Sequence, residues 1–262
     1  MAANLNAFFQ FVLRWIVALA STLLGPETGG RLNVGLWRLR GQVSKWLLKT
    51  KPSPDSLHFM HVPRTGDTSM RKLVDAMEIP VEKITLHYHG TKVRHLDNAE
   101  WFILIRDPIS RLDSCLRQVA KGNKNSDRGI QNRIIRWQIK NYPTLDDINE
   151  ASSSKNLLVR FRGWLAMNSG GQMTEPLSAW VSVAEILDNP PVFVGHHDQS
   201  SSLEAFLSKR FMVQPRQRPA VNAAGIAGKL EGDQKHLEKF FRLDYLVYEK
   251  LKSLVPEAYE EE

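Results

Sequence analysis

The sequence predicts an α/β fold built on a parallel sheet flanked by helices. Three short apolar runs, residues 57–60, 101–105 and 192–195, read as buried strands. Each passes into a loop rich in Gly, Pro, Arg, His or Ser and then into a segment of helical periodicity. Strands that alternate with helices in this way form parallel sheets, with ligands at the strands' C-terminal ends. At 262 residues the chain is long enough for one domain plus extensions, and 24% charged with 42% hydrophobic residues is ordinary for a globular protein.

The chain opens on a strongly apolar segment, residues 7–24, which contains Phe8, Phe9, Phe11, Trp15 and Ile16. Asn6, Gln10 and Arg14 recur at every fourth position, and Ala18 and Ser21 continue that face, so the segment reads as a helix with a narrow polar stripe. Gly25-Pro26 ends it. Its length is marginal for a membrane span. A signal peptide fits poorly, because a positive n-region is missing and Arg14 interrupts the apolar run. A second helix over residues 32–48 sets Leu32, Leu36, Leu39, Val43, Trp46 and Leu47 on one side, flanked by Arg38, Arg40, Lys45 and Lys49. A basic amphipathic helix with Trp suits an anionic membrane surface. Packing of both helices on the domain or on a second subunit is the alternative, and the two weigh about evenly; an oligomer is compatible with either.

The net charge is +7, and seven basic residues against Glu27 place +6 of it in residues 1–51. The remainder is nearly neutral, so the basic balance does not point to nucleic acid. The organisation expected is a helical extension over residues 1–51 and a catalytic-looking domain over residues 55–255. Were residues 7–24 to span, the following positive cluster would place that domain in the cytoplasm.

The first strand runs into His61-Val62-Pro63-Arg64-Thr65-Gly66-Asp67-Thr68-Ser69, ahead of a helix over residues 70–77. A strand, a Gly-containing turn and a helix N-terminus make an anion cradle, because free N–H groups and the helix dipole converge there. The Walker spacing G-x-x-x-x-G-K-[ST] is absent. A short strand over residues 85–88 follows. The strand over residues 101–105 then leads into Arg106-Asp107-Pro108-Ile109-Ser110-Arg111-Leu112-Asp113-Ser114. The Arg106 guanidinium is a forked, permanent donor suited to phosphate, Pro108 is suited to open a helix, and Ser114 lies about two turns on. Further along, residues 122–127 read as a loop, residues 129–141 and 156–167 as helices, and residues 181–187 as helix or strand. The strand over residues 192–195 precedes His196-His197-Asp198-Gln199 and a helix over residues 202–209.

The first loop resembles the Pro-Lys-Thr-Gly-Gly-Thr-Ser loop of sulfotransferases that use 3′-phosphoadenosine 5′-phosphosulfate (PAPS), with Arg64 in place of Lys and Asp67 in place of the second Gly. The second is similar to that family's Arg-Asp-Pro-x-x-Arg-x-x-Ser. Val194-Gly195 with Asp198, Val221-Asn222 and Asp244-Tyr245-Leu246-Val247-Tyr248-Glu249 resemble later segments of its membrane-associated carbohydrate type, so the likeness covers residues 57–251 apart from residues 121–188. The resemblance implies a P-loop-like three-layer fold and PAPS as sulfate donor. It implies Arg64, Thr65, Gly66, Asp67, Thr68 and Ser69 around the phosphosulfate, and Arg106 with Ser114 on the 3′-phosphate. It also implies transfer to a hydroxyl of a saccharide or glycan. Golgi members of the family face the lumen, the alternative to a cytoplasmic orientation.

Sulfuryl transfer needs neutralisation of the leaving phosphate and deprotonation of the acceptor. Arg64 suits the first task as a fixed charge. Leu86-His87-Tyr88-His89-Gly90 is similar to the His-x-His of uronosyl 2-O-sulfotransferases, which implies His89, or second His87, as the base. Ordinary polar residues at a strand end are the plain alternative for either. His61 reads as a packing residue, and Cys115, the single cysteine, as a buried small hydrophobe. No His/Cys spacing suits zinc, so no metal is expected. Two rival functions stay open: a sulfotransferase-like nucleotide-binding protein without turnover, and a membrane-docking protein that uses the domain as a scaffold.

Overall fold

The computed structural model describes residues 2–47, 55–87, 92–96, 99–122, 130–168, 174–197, 200–214 and 233–255. Helices α1 (Ala2–Leu24) and α2 (Pro26–Leu47) come first, then strand β1 (Leu57–Met60), α3 (Asp67–Ala76), β2 (Ile84–Leu86), a 3-10 turn (Val93–His95) and β3 (Trp101–Ile105). There follow α4 (Pro108–Gly122), α5 (Ile130–Asn141), α6 (Leu145–Ser153), α7 (Leu157–Met167), α8 (Leu177–Trp180) and α9 (Val183–Asp188). Strand β4 (Phe193–His196), α10 (Ser200–Phe211), α11 (Lys235–Phe240) and α12 (Arg242–Lys252) complete the order. The chain divides into a helical unit, Met1–Trp37 with Pro108–Pro176 and Ala224–Tyr245, and a sheet unit, Arg38–Asp107 with Leu177–Ala223 and Leu246–Glu262.

The sheet unit holds four parallel strands in the order β2-β1-β3-β4, which establishes the α/β class. β1 and β3 occupy the residues the sequence indicates, and all five residues of β3 are buried, as a central strand covered on both faces requires. Leu57, Phe59, Ile84, Phe102, Leu104 and Phe193 line one face of the sheet. Met70, Leu73, Val74 and Met77 pack there at helical spacing from α3 and its C-cap, and Leu203, Phe206 and Leu207 from α10. Phe59 meets Phe102 at 5.1 Å between ring centroids, and Phe206 stacks on Phe193 at 4.5 Å. The ambiguous segment at residues 181–187 is helical. Ser182 caps α9, its hydroxyl accepting from the Glu185 N–H while the Glu185 carboxylate accepts from the Ser182 N–H.

In the helical unit α1 packs on α7 and α5, with Leu13, Val17 and Ala18 buried. The N-terminal helix is therefore part of this unit's core. Among the described residues no helix is long and apolar enough to cross a membrane. α6 is not foreseen in the sequence reading, although Thr144 and Asp147 form a capping box at its start. α7 lies against α6 through Gly163, where an added Cβ would sit 2.5 Å from the Ser152 backbone nitrogen and 2.8 Å from the Ala151 carbonyl carbon. Trp164 stacks on Phe240 at 5.1 Å. Buried Arg111 donates to the Glu175 carbonyl at 2.8 Å and lies 3.9 Å from the Asp244 carboxylate, so its guanidinium ties α4 to α12. Cys115 is buried.

The approach at Gly163 is to backbone, which cannot rotate away as a side chain can. Gly163→Ala is expected to destabilise the protein by about 1–3 kcal/mol despite alanine's better helix propensity. Urea unfolding followed by circular dichroism checks this; a midpoint at or above the wild type's would show that α6 and α7 can separate at little cost.

Candidate functional site

The order β2-β1-β3-β4 defines a topological switch point. From β1 the chain passes through α3 to β2 on one side, whereas from β3 it proceeds to β4 on the other. The connections diverge between β1 and β3, and in open parallel sheets ligands bind outside the strands' C-terminal ends at such a point. Both loops singled out by the sequence begin there. β1 ends at Met60 and is followed by residues 61–66; β3 ends at Ile105 and is followed by Arg106 and Asp107. The register pairs Met60 with Ile103.

The loop after β1 is tightly wound. The Thr65 N–H and hydroxyl both donate to the Val62 carbonyl, at 3.3 and 2.7 Å, so this side chain shapes the loop from within and is buried. Arg64 has φ 70° and Gly66 φ 100°, so two residues in three adopt the left-handed region. For Gly66 this costs little. For Arg64 it stores strain of order 1–2 kcal/mol, a feature that collects at functional loops. Gly66 is the N-cap of α3 and offers no side-chain cap, while its carbonyl accepts the first helical hydrogen bond, from Met70, at 2.9 Å. Asp67 is the first residue of α3, followed by Thr68 and the half-buried Ser69. The sequence placed the helix start at residue 70; Gly66 allows it three residues earlier.

After β3, Arg106 and Asp107 are half-buried and Pro108 is the first residue of α4. The His197 N–H donates to the Ile105 carbonyl at 3.0 Å, which ties the end of β4 to that of β3. Ser114 lies on α4, buried, in the helical unit. Arg64, Thr65, Gly66, Asp67, Thr68, Ser69, His87 and Arg106 all belong to the sheet unit. His89, Asp198, Val221 and Asn222 lie outside the described residues.

His87 follows β2, and its N–H donates to the Phe59 carbonyl at 3.3 Å. Its Nε2 lies 2.7 Å from Nδ1 of His58, and the two rings stack at 4.9 Å and 16°. His58 Nε2 is 3.3 Å from the Ser56 hydroxyl, which is 2.8 Å from that of Thr85. These four side chains form a polar chain beside β1 and β2; His58 and Thr85 are register partners on the sheet face opposite the Phe59 core. Burial lowers the His87 pKa to about 4, with contributions from the charges of His58 and His95. His87 is thus neutral at pH 7 and weakly basic. His58 was not singled out in the sequence. Its signal is the alternation Leu57-His58-Phe59, which turns a histidine away from the apolar face.

Among the described residues no group of three His, Cys, Asp or Glu side chains is arranged to hold a metal ion. The chemistry available is anion binding: N–H donors at an uncapped helix start, hydroxyls, and guanidinium groups on both loops. The chain matches no family model, no curated protein and no solved structure.

Between about pH 6.5 and 4 the unfolded His87 is protonated while the folded one is not. The unfolded state then binds more protons, so stability should rise with pH through this window and level off above it. The fall on acidification is expected to reach about 2–3 kcal/mol. Urea titrations at several pH values should show a shallower slope for His87→Gln; an unchanged slope would assign the pH dependence to other groups.

Proposed function

We propose that the chain transfers a sulfuryl group from PAPS to a hydroxyl of a saccharide acceptor, on a P-loop-like three-layer fold. One observation carries this reading. The two motif loops leave adjacent central strands where the chain's connections diverge; one opens α3 at a left-handed, uncapped Gly66, and the other presents Arg106. PAPS supplies the sulfuryl group. The residues from Arg64 to Ser69 hold its 5′ end, through the N–H groups of α3's first turn and the hydroxyls of Thr68 and Ser69. Thr65 contributes by holding the loop closed on the Val62 carbonyl. Arg106 binds the 3′-phosphate. The resemblance gives Ser114 to the same phosphate; it lies buried on α4 in the helical unit.

As the S–O bond to the nucleotide breaks and a bond to the acceptor oxygen forms, negative charge gathers on the departing phosphate. Arg64 stabilises that charge as a fixed cation and keeps its own protons. The acceptor's proton goes to His89. His87 suits the task poorly, because its ring is engaged with His58 and its pKa lies well below neutrality. It is better regarded as a positioning residue at the end of β2.

A second reading keeps the nucleotide and drops the reaction. The weak basicity of His87 favours it, together with Arg64 and Asp67 standing where the resembled loop has Lys and Gly. Binding of adenosine 3′,5′-bisphosphate is expected on both readings, and sulfate transfer only on the first.

Arg106→Ala is expected to weaken adenosine 3′,5′-bisphosphate by about 2–3 kcal/mol in calorimetry with the fold intact, the cost of a charge-assisted contact. A wild-type protein that fails to bind this nucleotide would overturn both readings. For the base, His89→Ala should slow transfer about 10²–10⁴-fold with PAPS affinity little changed. Full turnover in that variant would move the proton acceptor elsewhere.

A further inference from the structure

α1 is inside-out. Its one charged residue, Arg14, is 3% exposed, and burial lowers its pKa to about 10. Ser21 and Thr22 are also buried, their hydroxyls donating to the Val17 and Ala18 carbonyls one turn back. The exposed face carries Trp15, Ile16, Leu19, Leu23 and Leu24, with Leu19 at 52% and Leu23 at 62%. These positions follow helical spacing, so they form one continuous stripe. The stripe continues onto α7 in the same unit. Trp15 meets Phe161 at 5.2 Å, and α7 opens on exposed Leu157, Leu158 and Val159, with Leu158 at 57%. A helix that buries an arginine and its hydroxyls while exposing four large aliphatic residues and a tryptophan is matched to an apolar medium on its outer side.

We propose that the α1–α7 face docks on an anionic lipid bilayer, lying in the interface without crossing it. The other side of α1 is occupied by α7 and α5, so lipid cannot surround it. Charge selects the occupant. Neither α1 nor α7 contains an acidic residue. Lys155, Arg160 and Arg162 border the patch from the turn before α7 and from α7 itself, and Arg162 lies one turn from Leu158. In α6, Asp146 and Asp147 lie at the far end and Glu150 lies between. A two-fold contact between copies would bring the basic border against itself, whereas anionic headgroups neutralise it. Trp15 at the patch suits the boundary between headgroup and acyl chain. This docking does not rest on sulfuryl transfer, and it extends the membrane-contacting surface from the N-terminal helices to α7.

The test is flotation of the full chain with phosphatidylcholine vesicles containing about 30 mol% phosphatidylserine. The wild type is expected to float with these vesicles, to bind pure phosphatidylcholine less, and to bind less as salt rises. Alkaline carbonate should release it. Leu19→Glu with Leu158→Glu, both at exposed positions, is expected to keep the wild-type melting temperature and lose at least about tenfold in vesicle binding. Should that pair unfold, Leu158→Ser alone should give the same loss at smaller size. Absent flotation, binding indifferent to these substitutions, or resistance to carbonate would each overturn the proposal. So would light scattering that shows a dimer split by Leu19→Glu, which would assign the face to a second copy.

Discussion

The pairing of β1 with β3 is the constraint on which the sheet unit depends. It joins two strands separated in sequence by α3, β2 and the 3-10 turn, and it makes both of them interior. Because the next strands then add on opposite outer edges, the loops after β1 and β3 leave adjacent strands. The same pairing brings Phe59 against Phe102, the start of an aromatic seam that continues through Phe206 to Phe193 and fixes α10 over the sheet. Loss of register by one residue would set His58 against Phe102 and turn every side chain of β1 to the other face of the sheet. The loops are therefore positioned by core packing.

β1 and β3 were legible because polar or turn residues bound both runs sharply. β2 was less so: Ile84 completes its buried face, but the sequence around it carries no apolar run, and the strand spans residues 84–86 where 85–88 was read. β4 likewise slips by one, since Val192 is exposed and His196 closes the strand. The 3.6-residue pattern found α7 almost to the residue, where Asn156 caps the helix by accepting from the Leu158 and Val159 N–H groups. α6 went unread although its capping box was present in the sequence. On α1, periodicity revealed a polar stripe but could not say which face would be covered. Amphipathicity conventionally points the apolar side inward, and here Arg14, Ser21 and Thr22 are buried along with Leu13, Val17 and Ala18 while Ile16, Leu19 and Leu23 are exposed. Such a reversal depends on what surrounds the helix, which no single segment encodes.

The candidate site shows the same division. Strand-loop-helix order marked the two candidate loops, since turn chemistry and helix starts are local. The state of His87 is not local. Its low pKa comes from burial and from His58 and His95, one on a neighbouring strand and one in the 3-10 turn, and only the β1–β2 register makes the first a neighbour. A spacing rule can nominate a histidine as a base, but it cannot tell a free imidazole from one already engaged.

That engagement bears on any proton transfer at this edge of the sheet. A useful base needs a pKa near the working pH and an open nitrogen. Burial and like-charge neighbours deny His87 the first, and the 2.7 Å contact with His58 occupies its Nε2. The polar chain from Thr85 through Ser56 and His58 instead holds the end of β2 in register with β1. On the proposed reading, division of labour follows from the chemistry. The histidine inside the sheet's polar chain fixes geometry, and acceptor deprotonation needs a group other than His87.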